Sequence, residues 1–434
     1  MERLVIRFDT NRKIPLYIQI YEGLVNEMKE GHIAQGEKLP SVRALAKQLN
    51  LSKSTIENAY DKLLSEGYLT SRLKSGYYCD IPSFKQQTLQ KPPLKSNPPK
   101  EIRFDFSSRF IEPGHFESKL WRRYMRYTLE DESYIASYGT SQGEYELREA
   151  LAYFLYRERA VETSAEQLVI GAGIQPLLYL FCSLFRHQKL KVGFLKPAFQ
   201  QARTVFEDCQ HEIVLLNDLN DIKTAAIDVL YLSYVHTPKK MKERIQLLKT
   251  ITSLDVMLIE DDYQGEMHYK SVGVNSLQGL ASDAKIFYLN SFSKQLLPSV
   301  RMACMSFPSI FNKALAYRLS AYHQTASKLE QHVFSSYIQD GHLERCIKRQ
   351  RKIYLKRSQK LEATLLRYFE KSEIELLENQ LCFRVKRKFD ESFYKSLAEK
   401  KIEITQRDDG YLYLYFSGVS DAKIESAISE MFEN

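Results

Sequence analysis

Residues 285–294 read KIFYLNSFSK. A short apolar run, Lys285–Asn290, leads into a hydroxyl-rich turn that ends in Lys294, with Arg301 seven residues beyond. Aromatic and β-branched enrichment over so few residues predicts a buried strand. Outward from it, runs of the same kind recur at Leu168–Gly171, Lys191–Leu195, Val229–Ser233, Val256–Glu260 and Met302–Phe307. Helical patterns lie between most of them, as at Gln175–Arg186 and Met241–Ser253. Such alternation predicts an α/β domain with a mainly parallel sheet. Ligands of these sheets bind at the carboxyl ends of the strands.

Three of those ends carry chemistry. Gly171-Ala172-Gly173-Ile174-Gln175 opens a helix, where free N–H groups and the positive dipole end suit a phosphate. Pro176 occupies the third glycine position of a dinucleotide fingerprint, so that reading fails, and a plain strand-to-helix turn is an equal alternative. Glu260-Asp261-Asp262-Tyr263 sets three carboxylates in a row, which suits a solvated loop or a capped helix start; no His or Cys cluster accompanies them to make a metal site. Lys294 is either an exposed cation or a buried amine of lowered pKa, able to form a Schiff base. Pyridoxal phosphate (PLP) explains the three together, since it needs a lysine, an acid facing its pyridine nitrogen, and donors for its phosphate. No Walker A, HExxH or GxSxG motif occurs.

The N-terminal 80 residues have another texture. Leu16, Ile20, Leu24 and Met28 make one apolar helical face, broken by Gly31 to Gly36. Ser41 caps a second helix that Asn50 ends, and Ser52 caps a third that closes at Gly67. Tyr68–Thr70 and Tyr77–Cys79 flank a basic turn in the manner of a hairpin. The sum is a winged helix-turn-helix. Lys53, Ser54, Thr55, Glu57 and Asn58 fall at the amino end or polar side of the third helix, the part that enters a major groove. Lys53 and the hydroxyls suit phosphates or base edges, Asn58 suits adenine, and Lys74 and Gly76 form the wing tip. The plainer alternative is a small helical interaction domain with a solvated polar face.

Between the two blocks, residues 81–103 hold five prolines, at 82, 92, 93, 98 and 99, and five basic residues against one acidic. That stretch predicts an extended linker and the partition 1–80, 81–103 and 104–434. The chain has 434 residues, 44% of them hydrophobic and 27% charged, which excludes a disordered or collagenous protein. Its longest apolar run, Leu177–Phe185, is too short to span a bilayer, and Met1–Ile20 lacks a signal-peptide core. Six scattered cysteines form no disulfide-like pattern, so a cytoplasmic location is expected. The net charge of +8 permits a nucleic-acid partner without demanding one. The acid-free basic run from Arg345 to Lys360 invites a second DNA contact, but a long solvated helix explains it more simply.

PLYIQIYEGL (15–24), GEKLPSVRALAKQL (36–49), LSKSTIENAYDKLLSEGYL (51–69) and SGYY (75–78) resemble the GntR family of bacterial transcription regulators. The resemblance implies DNA contacts by Arg43, Ser52, Ser54 and Thr55, with Gly76 in the wing; Lys53 stands where the family often has Arg. FDFSSRFIEPGHFESKLWRRYMR (104–126), YGTSQGEYELREAL (138–151), IGAGIQPL (170–177), LKPAFQQAR (195–203), IEDDYQGE (259–266), NSFSKQLLPSVRMA (290–303) and GHLERCIKRQRKIYLKR (341–357) are similar to fold-type I aminotransferases. A GntR head joined to such a domain is identified as the MocR subfamily.

By matching positions, the resemblance makes Lys294 the PLP-binding lysine and Asp261 the partner of the pyridine nitrogen. It puts Tyr263 on the ring hydroxyl and Phe199 stacked on the ring. Gly173, Ile174, Gln175, Ser291, Ser293 and Arg301 surround the phosphate. Tyr138 reaches that phosphate from a neighbouring subunit, which implies a head-to-tail homodimer. Three departures stand out. SYVHTPKKMK (233–242) replaces a proline-rich loop, with His236 or Thr237 for its polar role, and Leu195 replaces a glutamate. Tyr413 replaces the arginine that clamps a substrate carboxylate, and a phenol cannot make that bidentate charged pair. Arg407 and Arg203 are the available substitutes, neither assigned.

The expected function is a cytoplasmic, promoter-binding regulator. Its aminotransferase-like domain senses PLP, alone or with an amino compound, and productive turnover is not expected. The alternatives are a working aminotransferase with an appended DNA-binding head, and a repressor whose aminotransferase-like part only dimerises.

Overall fold

The computed structural model describes residues 6, 8–9, 13–72, 75–81, 101–112, 116–270, 273–407 and 409–433. The chain forms two compact units, residues 1–99 and 100–434. Most of the expected linker, residues 82–100, lies outside the described residues, as does Lys74.

In the first unit α1 (Leu16–Lys29), α2 (Val42–Leu49) and α3 (Lys53–Ser65) precede a hairpin of β1 (Leu69–Arg72) and β2 (Gly76–Cys79). The caps follow the sequence. The Ser41 hydroxyl accepts from the Ala44 N–H, Asn50 turns left-handed at φ 56°, and the Ser52 hydroxyl accepts from the Thr55 N–H. Ile20, Leu24, Met28, Leu45, Ile56, Ala59, Tyr60 and Leu63 are buried together. Each such large aliphatic side chain contributes about 1.5–3 kcal/mol. The Tyr60 hydroxyl keeps a partner inside this core by donating to the Pro40 carbonyl at 2.9 Å. The hairpin is antiparallel, with Leu69 opposite Cys79 and Arg72 opposite Gly76.

The second unit opens with β3 (Phe104–Phe106), α4 (Ser118–Glu130), α5 (Glu132–Ile135) and α6 (Tyr145–Arg159). An alternating region follows: β4 (Leu168–Gly171), α7 (Ile174–Leu184), β5 (Lys191–Leu195), α8 (Gln200–Asp208), β6 (Glu212–Leu216), β7 (Val229–Ser233), α9 (Met241–Ser253), β8 (Met257–Asp261), β9 (Ile286–Ser291) and β10 (Ala303–Ser306). After α10 (Asn312–Leu319), α11 (Lys328–Gln339) and α12 (His342–Leu365) come β11 (Ile374–Leu377), β12 (Cys382–Lys388), α13 (Glu391–Glu399), β13 (Ile402–Ile404), β14 (Tyr411–Tyr415) and α14 (Ile424–Phe432).

Seven strands form one sheet in the order β4-β10-β9-β8-β7-β5-β6. Only β10 runs against the others, antiparallel to both β9 and β4. Tyr231, Ile259, Phe287 and Met305 pack on one face, and Leu230, Leu258 and Ile286 on the other. Burial on both faces is why these strands read as unbroken apolar runs. β6 was not expected from the sequence. It is an edge strand exposed at Glu212 and Leu215, and its apolar run, Ile213–Leu216, is only four residues long. β8 and β9 each sit one residue further on than expected, which takes Asp261 and Ser291 into the strands.

A smaller antiparallel sheet, β11-β12-β14, turns Leu412 and Leu414 into the core with Leu361 and Ile428. The opposite face of β14 presents Tyr411, Tyr413 and Tyr415 beside Cys382. β3 pairs parallel with β13, so the first strand of this unit joins its C-terminal part.

Candidate cofactor pocket and DNA-contact surface

The acidic triplet is no solvated loop. Glu260, Asp261 and Asp262 are all buried, each for a different task. Glu260 accepts from the N–H groups of Leu277 and Gln278 at 2.7 and 2.9 Å, fixing the returning chain. Asp262 accepts from Arg159 Nε at 2.7 Å, Arg159 Nη2 at 3.2 Å and the Tyr288 hydroxyl at 2.7 Å. Asp261 accepts from the Tyr231 hydroxyl at 2.6 Å through Oδ2, while its other oxygen is buried without a hydrogen-bond partner. Burial pushes the Asp261 carboxyl up to about 7, against the bond from Tyr231. A carboxylate with one oxygen held and the other idle is what a cationic ligand nitrogen would complete.

On the neighbouring strand β9, Asp261 lies opposite Leu289, two residues before the turn that carries Lys294. There the Ser291 hydroxyl donates to Ser293 Oγ at 3.2 Å. Lys294 Nζ donates to the Ser108 carbonyl at 2.8 Å. Burial lowers the lysine to about 8, with the nearby Asp105 charge working the other way. Its flanks are pinned: Gln295 Nε2 and Asn290 Nδ2 both donate to Glu266 Oε1, at 2.9 and 3.3 Å, and Gln350 Nε2 on α12 donates to the Gln295 carbonyl at 3.1 Å.

At the far edge β4 and β10 place Gly171 opposite Ala303, which brings the start of α7 to Arg301. Gly173 has φ +88°, and a Cβ there would sit 2.5 Å from Arg301 Nη2. Glycine is needed both for the backbone and for the guanidinium's approach. Ile174 and Gln175 are the first residues of α7, so their N–H groups have no intrahelical acceptor. An exposed guanidinium over an open helix end makes an anion seat.

These residues fit PLP: an amine of lowered pKa, an idle buried carboxylate oxygen on the adjacent strand, and an anion seat beyond. Tyr263 follows Asp261 and is half-buried; its carbonyl accepts from Gln295 Nε2 at 3.4 Å. Phe199 precedes α8 and is 38% exposed, and Tyr138 is 96% exposed. Sequence reasoning did not reach Tyr231, Ser108, Arg159 or Glu266. The one available signal was the tyrosines Tyr231 and Tyr288 interrupting apolar strands, since a buried phenol needs a partner.

Among the departures, Leu195 is buried and burial lowers the half-buried His236 imidazole. The Thr237 hydroxyl donates to the Ser233 carbonyl at 3.4 Å. Tyr413 donates to Asp409 Oδ2 at 2.6 Å. Arg407 lies over the Tyr413 ring, 4.1 Å from its centroid, whereas Arg203 is paired with Glu207 at 2.7 Å.

In the first unit Arg43, Ser52, Lys53, Ser54 and Asn58 are exposed and Thr55 is half-buried. Ser52 Oγ lies 3.0 Å from Ser54 Oγ and 2.7 Å from Thr55 Oγ1, a hydroxyl cluster at the start of α3. In the hairpin, Gly76 takes φ +113° and Arg72 packs over the Tyr78 ring at 4.3 Å. The basic run of α12 is largely neutralised within its own unit. Arg349 pairs with Glu117, Arg351 with Glu158, Lys356 with Asp421, Arg357 with Glu112 and Asp421, and Lys360 with Glu425.

Fold and sites together define a DNA-binding regulator whose larger unit is an aminotransferase scaffold. The model for bacterial regulatory proteins of the gntR family matches residues 16–79, and that for aminotransferase class I and II matches residues 113–430. The chain is 34% identical over 360 residues to the uncharacterized HTH-type transcriptional regulator YdeL of Bacillus subtilis, covering 79% of this chain and 78% of that one. It is 25% identical over 395 residues to the probable rhizopine catabolism regulatory protein MocR of Rhizobium meliloti, covering 83% and 78%. Among solved structures, kynurenine aminotransferase of Pyrococcus horikoshii matches with a TM-score of 0.64 at 22% identity, over 76% of this chain and 90% of that one. The chain belongs to the MocR subfamily of GntR-type transcriptional regulators, which carry an aminotransferase class I and II domain. Among the described residues no helix is long and apolar enough to cross a membrane.

Proposed function

We propose that this regulator senses pyridoxal phosphate, alone or with an amino compound, and that occupancy of the pocket alters its grip on promoter DNA. Lys294 would hold the cofactor covalently, Asp261 its ring nitrogen, Tyr263 its ring hydroxyl and Phe199 its face. Gly173, Ile174, Gln175, Ser291, Ser293 and Arg301 would hold the phosphate. Tyr138, fully open to solvent in one protomer, would serve the pocket of a second, making the working unit a homodimer. When bound, the group supplies an electrophilic carbon and an electron sink for amines.

The observation that carries this reading is the bond from Lys294 to Ser108. That amine cannot both engage a cofactor and keep its hold on the Ser108 carbonyl. Ser108 lies five residues past the end of the expected linker. Its N–H donates to Thr405 Oγ1 at 2.9 Å, beyond β13, and β13 pairs with β3. Releasing Lys294 would therefore remove one of the tethers on the chain segment that leads back to the DNA-binding head, a differential contact of the kind a population shift needs. Arg43, Ser52, Lys53, Ser54, Thr55, Asn58 and Gly76, with Lys74, would contact the duplex. The test is duplex binding with and without PLP, for the wild type and Lys294→Ala. A PLP response that needs Lys294 supports sensing, and an identical response in both proteins refutes it. Turnover of amino-donor and keto-acid pairs would favour the enzyme reading instead.

A further inference from the structure

We propose that Arg407 anchors the carboxylate of the amino-compound ligand, so that the effector is an amino acid rather than a simple amine. This rests on the sensing reading above. Arg407 follows β13 and lies between the tyrosines of β14, 4.1 Å from the Tyr413 centroid and 6.0 Å from that of Tyr415. Its Nη2 donates to Gln380 Oε1 at 2.6 Å and to the Tyr415 hydroxyl. Two bonds and one aromatic face fix the guanidinium plane and leave Nε and Nη1 uncommitted. No carboxylate lies within 4.0 Å of it among the described residues. The neighbouring acid, Asp409, already accepts from Tyr413.

An oriented, half-buried guanidinium with no acid on it among the described residues is matched by a carboxylate arriving in its own plane. The Tyr415 hydroxyl accepts from Arg407 and keeps its proton, a second donor toward the same anion. The cluster also faces the cofactor pocket. Arg407 and Tyr415 are both within electrostatic reach of the half-buried Tyr263, two residues past Asp261, and residues 234–236 touch residues 378–380. Tyr413 therefore does not bind the carboxylate itself; its ring is the platform on which Arg407 is held. Arg203, half-buried but paired with Glu207, is already matched by an acid. Because Thr405 binds Ser108, a ligand held at Arg407 pulls two residues away from the segment that Lys294 grips.

The test uses full-length protein with PLP added. Its probes are the common L-amino acids, β-alanine and 4-aminobutyrate, each beside the amine left on removing its carboxyl group. Affinity is read from the change in visible absorption and from the shift in unfolding midpoint. We expect at least one amino acid to bind about tenfold or more tightly than its matching amine, the scale of a charged hydrogen-bonded pair. Arg407→Met should close that gap while retaining the Lys294-dependent band, and Arg407→Lys should keep part of it. A gap that survives in Arg407→Met, or no gap in the wild type, overturns the proposal while the sensing reading stands. Absence of the band in the wild type removes both.

Discussion

The two functional regions of this chain are built on opposite terms. Along α3 the candidate DNA contacts Lys53, Ser54 and Asn58 project into solvent, and the core they sit on is made of other residues, Ile56, Ala59, Tyr60 and Leu63. In the candidate pocket the charged groups are themselves part of the interior: Asp261, Asp262, Glu260 and Glu266 are buried, and each is held by a named partner. Recognition of an external polymer can be separated from stability. Capture of a small charged group cannot, because a pocket that excludes water must hold its charges before the ligand arrives.

That contrast can be broken in several ways, the largest effect first. Lys294→Ala should abolish any visible cofactor band in absorption spectra and leave the helical content of the protein unchanged. Arg159→Ala strands the Asp262 carboxylate in the interior and should cost about 3–5 kcal/mol. The only tryptophan, Trp121, is buried in the larger unit, so its fluorescence during urea unfolding reports that loss directly. Lys53→Ala and Asn58→Ala should weaken duplex binding by about 1–3 kcal/mol each in a titration at fixed salt, with no change in the Trp121 transition.

Acidity sharpens the same point. The Asp261 carboxyl is raised by burial to about 7, so the native state holds a proton that the unfolded chain gives up at ordinary carboxylate pH. Without cofactor, stability of the larger unit should therefore fall as pH rises from about 4 to 7. Asp261→Asn, which has no charge to bury, should lose less over that range. An identical pH profile in the two proteins would contradict the account of Asp261. The smallest effect belongs to the head, where Ser52→Ala removes the cap of α3 and should cost about 1 kcal/mol in the stability of that unit.

Much of this was legible before the structure because the relevant signals are local. Helix caps lie within three residues of what they cap, so Ser41, Asn50 and Ser52 could be read directly. The strand ends bearing Gly173, Asp261 and Lys294 were also legible, since fully buried parallel strands announce themselves as apolar runs. β6 was missed although Ile213–Leu216 is an apolar run of the same kind. The partners that tune the pocket were out of reach for a different reason. Tyr231 meets Asp261 across 30 residues, Arg159 meets Asp262 across 103 and Lys294 meets Ser108 across 186. Only the tertiary fold makes them neighbours. Arg407 was visible as a basic residue near a missing arginine, but its place on Tyr413 follows from the turn between β13 and β14, which no periodicity encodes.

The state of Lys294 is proposed to reach the DNA-binding head. The most direct measurement is the affinity of the full-length protein for duplexes it has itself selected from a random pool, titrated with PLP at constant salt. A clear shift is predicted in the wild type and none in Lys294→Ala, whose affinity without PLP should already lie near that of the PLP-loaded wild type because its hold on Ser108 is gone. A wild-type affinity indifferent to PLP, in protein whose visible band shows the cofactor bound, would contradict it.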